Sequence, residues 1–224
     1  EVQALYRDYV LAVERKLAPE YLGLAAETNL IRAAAPSAVY AAVVQTANDS
    51  AAALRAASAS AKLFTSVQVE TAWGGLGSVG AFVGVDTDFA HFPFIDALGL
   101  SSYPYFSWPA PENLPNDYYS RLLAGRSIPA MVVEGGWTSA SVGSVTSSPA
   151  LQARYIARHA DLLDSIAATA YLQILFADLD LASLPPPVPA NLPLFVSLGV
   201  ADTSFVGKPA LAAWDALHSR PYRP

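Results

Sequence analysis

The sequence predicts an α/β fold, a (β/α)8 TIM barrel of which this chain supplies about the fourth to eighth strands. Three observations carry that expectation. Apolar, strand-like runs begin near residues 21, 63, 98, 129 and 170, at steps of 31 to 42 residues. Helical patterns separate them, and such alternation with continuous apolar strands means a parallel sheet covered by helices. Several runs end in a polar or aromatic residue followed by a loop rich in Gly, Pro and aromatics, as at the C-terminal face of a barrel. A doubly wound sheet satisfies the first two observations, and the third favours the barrel.

The elements follow in order. Val2, Leu5, Tyr6, Tyr9, Val10, Val13 and Leu17 recur at spacings of 3 and 4, an amphipathic helix ended by Ala18-Pro19. Tyr21 to Glu27 is a short apolar run closed by a carboxylate. An Ala-rich segment from Ser37 to Ser58 reads as helix and leads into the β-branched run Leu63 to Glu70. Leu98 to Tyr103 is strand-like, Asp117 to Ala124 helix-like, and Pro129 to Glu134 a further strand. Ser148-Pro149 supplies an N-cap and a first-turn proline for a helix reaching Ala168. Ala170 to Phe176 is the fifth strand, and Lys208-Pro209 opens a last helix.

The 224 residues are 53% apolar and 14% charged, which suits a large core and excludes a disordered chain. They are expected to form a single barrel domain over 1–224, incomplete at its N-terminal side. Five βα units leave three strands unaccounted for, and the opening helix belongs to an earlier unit. A separate N-terminal segment completing the barrel is therefore an expected partner. Thirteen basic against nineteen acidic residues give a net charge of −6, which repels phosphate backbones, so no nucleic-acid partner is expected. The longest apolar stretch, Ile166 to Ala177, is too short for a membrane span and is broken by Thr169 and Gln173. With no cysteine, disulfides, thiolate zinc sites and cysteine nucleophiles are excluded.

Glu27 and Glu134 each terminate an apolar run, in Gly-Leu-Ala-Ala-Glu-Thr-Asn and Met-Val-Val-Glu-Gly-Gly-Trp. At the end of a barrel strand a carboxylate points into the mouth, and two on strands three apart face each other across it. Glycoside hydrolysis needs that arrangement, with one carboxyl to protonate the leaving oxygen and one to attack or stabilise the anomeric carbon. Glu70 closes the run from Leu63, on the same side as Gln68 by alternation, and is either a substrate contact or an ion-pair member. Trp73, Trp108 and Trp137 each follow a strand end, so they either stack on sugar rings or close the barrel top.

On Pro129-Ala-Met-Val-Val-Glu-Gly-Gly-Trp-Thr-Ser and Leu98-Gly-Leu-Ser-Ser-Tyr-Pro-Tyr, the chain resembles the clan A glycoside hydrolases, in particular the endo-β-1,4-galactanase-like branch. The resemblance implies a retaining glycosidase acting on O-glycosyl bonds of a β-linked polysaccharide or oligosaccharide, and a secreted or periplasmic location. It makes Glu27 the acid/base, Glu134 the nucleophile and Tyr103 the hydrogen-bonding partner of Glu134. The family places Asn immediately before the acid/base to contact the sugar 2-hydroxyl. Here Ala26 stands in that position, and Asn29 takes over the contact or the chain lacks it, which makes a degenerate, carbohydrate-binding or assembly barrel the alternative.

No cofactor or metal is expected. Gly75-Leu-Gly-Ser-Val-Gly80 matches a dinucleotide-binding pattern, but Ala81 to Asp86 does not read as the helix that must follow. Asp86, Asp88 and His91 match neither a zinc nor an EF-hand spacing.

Overall fold

The computed structural model of the chain describes residues 1–76 and 80–221. Gly77 to Val79, in the glycine-rich run at 75–80, lie outside the described residues. Helices α1 (Val2–Leu17), α2 (Thr28–Ala34) and α3 (Ser37–Ala56) bracket strand β1 (Tyr21–Ala25). Strand β2 (Lys62–Gln68) runs directly into the short helix α4 (Val69–Ala72), and α5 (Asp86–His91) precedes β3 (Ala97–Ser102). Strand β4 (Ala130–Gly135) is followed by α6 (Pro149–Asp164), and α7 (Pro209–His218) closes the chain.

The four strands are parallel and ordered β1-β2-β3-β4. A doubly wound sheet reverses its strand order at a switch point, whereas a barrel adds each strand beside the last. The chain is part of a (β/α)8 barrel. Two register shifts bend the sheet, one between Gly23 and Ala25 and one that pairs Leu100 with Val132 but Ser101 with Glu134. Such a bulge re-aims the side chain that follows it, here Glu134. β3 is buried along its whole length and has a strand on each side.

The inner core gathers Val67, Leu98, Leu100 and Val132 with the rings of Tyr118, Tyr119, Trp137 and Tyr155. A second core under β1 and β2 joins Val10 of α1 to Ala47, Ala51 and Leu54 of α3. The alanines let α3 lie close to the sheet, which is the physical use of that Ala-rich sequence. Ser148 caps α6 by accepting a hydrogen bond from the Leu151 N–H at 3.2 Å, with Pro149 in the first turn, as expected.

Three expectations are corrected. The run to Glu70 does not stay extended: β2 stops at Gln68, whose side-chain oxygen accepts from the Thr71 N–H at 2.5 Å and turns the chain into α4. Residues 117–124 form turns with a 3-10 segment at Ser120–Leu123 in place of a full helix. The segment from 170 lies beside β4 through three backbone bonds, such as Leu172 N–H to Val132 O at 2.8 Å, but makes only one bridge, Val132 with Tyr171. On its other side it pairs only at its far end, where Phe176 O accepts from the Ala201 N–H at 2.9 Å, and its Leu172, Ile174 and Phe176 are exposed. Among the described residues β1 pairs with β2 alone, and Val2, Leu5 and Tyr9 of α1 are exposed.

Candidate active site

The C-terminal ends of β1 to β4 open into one cavity of about 350 Å3, lined by Glu27, Leu30, Gln68, Leu76, Tyr103, Phe106, Glu134, Asn191, Leu194 and Phe195. The structure thus brings Glu27, Glu134 and Tyr103 together from three separate strand ends.

Glu27 follows β1 in the left-handed region, with φ of 48°. A non-glycine residue there carries strain on the order of 1–3 kcal/mol, which the surroundings must hold. They do so from two sides. The Glu27 N–H donates to Ser66 Oγ at 2.9 Å, and Ser101 Oγ donates to Glu27 Oε1 at 2.6 Å. Behind it, α2 is pinned by Asp88, which is fully buried and accepts from Thr28 Oγ1 at 2.7 Å and from both Arg32 NH groups at 2.8 and 3.1 Å. Burial raises the Glu27 carboxyl above its ordinary range; the Ser101 bond opposes this and the nearby Glu134 charge adds to it.

Glu134 owes its position to the glycine after it. Gly135 has φ of 154°, and a Cβ there would meet the Ser102 carbonyl oxygen at 2.3 Å, so any side chain would force β4 away from β3. The carboxylate accepts from Tyr103 Oη at 2.5 Å. Burial and the Glu134 charge raise the Tyr103 phenol far above its ordinary range, so it stays a proton donor.

Glu70 lies behind this cavity, not on it. It is fully buried, and its carboxyl accepts from the Tyr103 N–H at 3.0 Å, from Tyr118 Oη and from Gln68 Nε2. Burial pushes it up to about 7 against those three hydrogen bonds. It is therefore neither a substrate contact nor an ion-pair member, because the turn into α4 sends it inward.

Asn29 is also accounted for within the fold. Its Nδ2 donates to Gln68 O at 2.8 Å, and its Oδ1 accepts from the Gln68 N–H at 2.7 Å and the Leu30 N–H at 3.0 Å. It ties the end of β1 to the end of β2 and does not line the cavity, so it does not replace the contact missing at Ala26. None of the three candidate tryptophans lines the cavity either. Trp73 donates to Tyr118 O at 2.9 Å and meets Trp108 edge to face at 6.0 Å, and Trp108 packs on Tyr118 at 5.2 Å. Trp137 donates to Ser147 Oγ at 3.0 Å, with its ring against Tyr155. They belong to the inner core, as large rings with a satisfied N–H commonly do. Besides Tyr103, the rings that line the cavity are Phe106 and Phe195, the latter just after a Pro-containing 3-10 turn at Leu192–Leu194 that carried no periodic signal. His91 is exposed on the outer face, beside the Tyr40 hydroxyl at 2.8 Å.

No family model and no curated protein matches the chain. Its fold is similar to that of several solved structures. A monomeric β-xylosidase from Caulobacter crescentus CB15 aligns with a TM-score of 0.63 at 18% identity over 99% of this chain and 47% of its own. A β-glucuronidase from an uncultured Clostridium sp. aligns at 0.59 and 12% identity, over 97% and 36%. A glycosylated family 10 endo-β-1,4-xylanase from Gloeophyllum trabeum aligns at 0.58 and 13% identity, over 95% and 64%. The chain spans between about a third and just under two thirds of the length of these three structures, consistent with part of a barrel.

Proposed function

We propose that this chain is the portion of a retaining glycoside hydrolase that carries both reacting carboxyls, acting on a β-linked sugar. The observation that supports this best is the shared cavity in which a carboxyl with raised proton affinity, Glu27, faces a second carboxyl, Glu134, held by a phenol donor. Solved structures with this fold are named as enzymes of β-xylosides and β-glucuronides, which agrees with a β-glycoside as substrate.

In the first step Glu134 attacks the anomeric carbon while Glu27 delivers its proton to the departing oxygen, so the leaving group departs as a neutral alcohol. Tyr103 keeps one oxygen of Glu134 fixed and leaves the other free to react. In the second step water attacks the glycosyl ester, Glu27 takes the water's proton, and Glu134 is released as carboxylate. The strand-end motifs from Leu98 and Pro129 are the support for placing the enzyme in the galactanase-like branch, with β-galactan as a candidate polymer. A preceding segment that pairs with β1 and covers the exposed side chains of α1 would supply the remaining strands.

A second reading has one observation in its favour. With Ala26 in place of Asn and Asn29 bound to Gln68, neither position supplies the amide that the resembled family sets before its acid/base, as suits a barrel that binds carbohydrate or joins an assembly without hydrolysis. The test is Glu134→Gln in the full-length protein. The hydrolase reading expects turnover to fall by a factor on the order of 10⁴ or more with sugar binding retained; unchanged activity would contradict it.

A further inference from the structure

We infer that Gln68 is a substrate-binding residue, donating one side-chain amide N–H to a sugar hydroxyl beside the scissile bond. The inference rests on the glycosidase reading, because it places the sugar between Glu27 and Glu134. Strand order fixes where Gln68 stands. It ends β2, between Glu27 after β1 and Tyr103 after β3, and it lines the same cavity.

The amide is held at both ends and still has capacity left. Its Nε2 donates to the buried Glu70 carboxyl, and its Oε1 accepts from the Thr71 N–H. A main-chain N–H only donates, so that second bond fixes which end of the amide is oxygen. A primary amide carries two N–H groups and two acceptor positions, so one of each has no partner among the described residues. Glu70 takes the N–H on the side away from the cavity, and the second N–H is left for a ligand. The main chain of Gln68 has nothing to add, since Asn29 takes its N–H at 2.7 Å and its carbonyl at 2.8 Å. Asn29 thus serves a sugar contact indirectly, by fixing the residue that makes it. The other polar groups of the lining are committed or unfixed. Tyr103 Oη donates to Glu134, the two carboxyls carry the reaction, and the Asn191 side chain has no hydrogen bond among the described residues to hold it. A rigid buried amide rejects an analogue lacking the hydroxyl, because its N–H is then left unpaired.

The test is binding to the full-length Glu134→Gln protein, read by calorimetry. Nitrophenyl β-glycosides of galactose, glucose, xylose and mannose are titrated first, then the monodeoxy analogues of the tightest binder. Loss of one particular hydroxyl is expected to weaken binding roughly 10- to 100-fold. Adding Gln68→Met is expected to bring that ratio below about threefold, whereas a merely structural role weakens parent and analogue equally and leaves the ratio unchanged. Gln68→Glu combined with Glu70→Gln is the variant that preserves the surroundings. The carboxylate at position 68 then accepts from the Thr71 N–H and from the amide at position 70. The oxygen of that amide accepts from the Tyr103 N–H and Tyr118 Oη, so only the free N–H is lost. A fluorine at the selected position accepts but cannot donate. The Glu134→Gln protein is expected to bind the fluoro analogue better than the deoxy one, and the exchanged protein the reverse. Ratios unchanged by Gln68→Met, or the same order of analogues in both proteins, overturn the proposal. Hydrolysis by the unsubstituted protein reads the carboxyls separately. Binding that depends on Gln68 without turnover defeats the glycosidase reading alone, and turnover with unchanged ratios defeats the Gln68 contact alone. Failure of all these glycosides to bind overturns both.

Discussion

Gln68 and Tyr103 stand between two carboxyl environments of opposite character. On one side Glu27 and Glu134 are half-buried, each lining the cavity and each with a short side-chain hydrogen bond to Oε1. On the other side Glu70 is sealed, with Tyr118, Gln68 and the Tyr103 N–H all donating to it. The first arrangement leaves acid–base and nucleophilic capacity unused in the resting protein. The second uses that capacity to hold two cavity-lining residues in place. Proximity to a strand end does not separate the two kinds of carboxyl; free oxygen lone pairs do.

The sharpest way to break this comparison is Glu27→Gln. Hydrolysis of glycosides with poor leaving groups is expected to fall by about 10²–10⁴, while activated aryl glycosides, which need no proton, lose far less at the first step. The pH profile gives the sign. As the proposed acid, Glu27 would act in its protonated form, and its proton affinity is raised by burial, so kcat/KM is expected to fall as pH rises through that elevated value. The alkaline limb disappears in Glu27→Gln. Equal losses on both substrate types would place Glu27 with Glu70, as a structural carboxyl.

Tyr103→Phe comes next, because it removes the donor to Glu134 and keeps the ring that packs on Phe195 at 5.1 Å. A hydrogen bond to a charged group contributes about 1.5–3 kcal/mol, so kcat is expected to drop roughly 10- to 100-fold with little change in melting temperature.

Glu70 is expected to register in stability. Its folded-state proton affinity is raised to about 7 from an ordinary value of 4.5, so the folded state binds the extra proton. The associated stability is fully present below pH 4.5 and is lost as pH rises through 7, on the order of 3 kcal/mol. Denaturant melts of the unsubstituted protein and of Glu70→Gln between pH 4 and 8 check this, since the substitution removes that decline. Trp73→Phe gives the smallest effect: loss of the Nε1 bond to Tyr118 O lowers stability by about 1 kcal/mol, and KM stays within about twofold because the ring is not in the cavity.

The sheet was legible because its strands are buried and continuous. Four of five expected strands form, and the pair Glu27 and Glu134 stood out as charges closing apolar runs. The fifth failed because a strand pattern gives no information on how continuously the strand will pair, and the segment from 170 meets β4 at one bridge and the chain at Ala201 only at its far end. Glu70 was misplaced by a single side chain, since alternation cannot anticipate that Gln68 caps a helix. The tryptophans misled for a similar reason. A strand-end loop sends a ring either over the mouth or back between strands, and hydrogen-bond partners distant in sequence, Tyr118 and Ser147, fix the choice. Asn29 carried the chemistry of a sugar contact but instead pairs with the main-chain N–H and carbonyl of Gln68.

The central claim is that Glu134 reacts and Glu27 assists it. Intact-mass and peptide mass spectrometry, after incubation of the full-length protein with activated 2-fluoro-glycosides of several sugars, test it most directly. The account predicts a single glycosyl adduct, mapped to Glu134 and absent from Glu134→Gln. An adduct on another residue, or turnover of those sugars with inversion and no adduct, would contradict it.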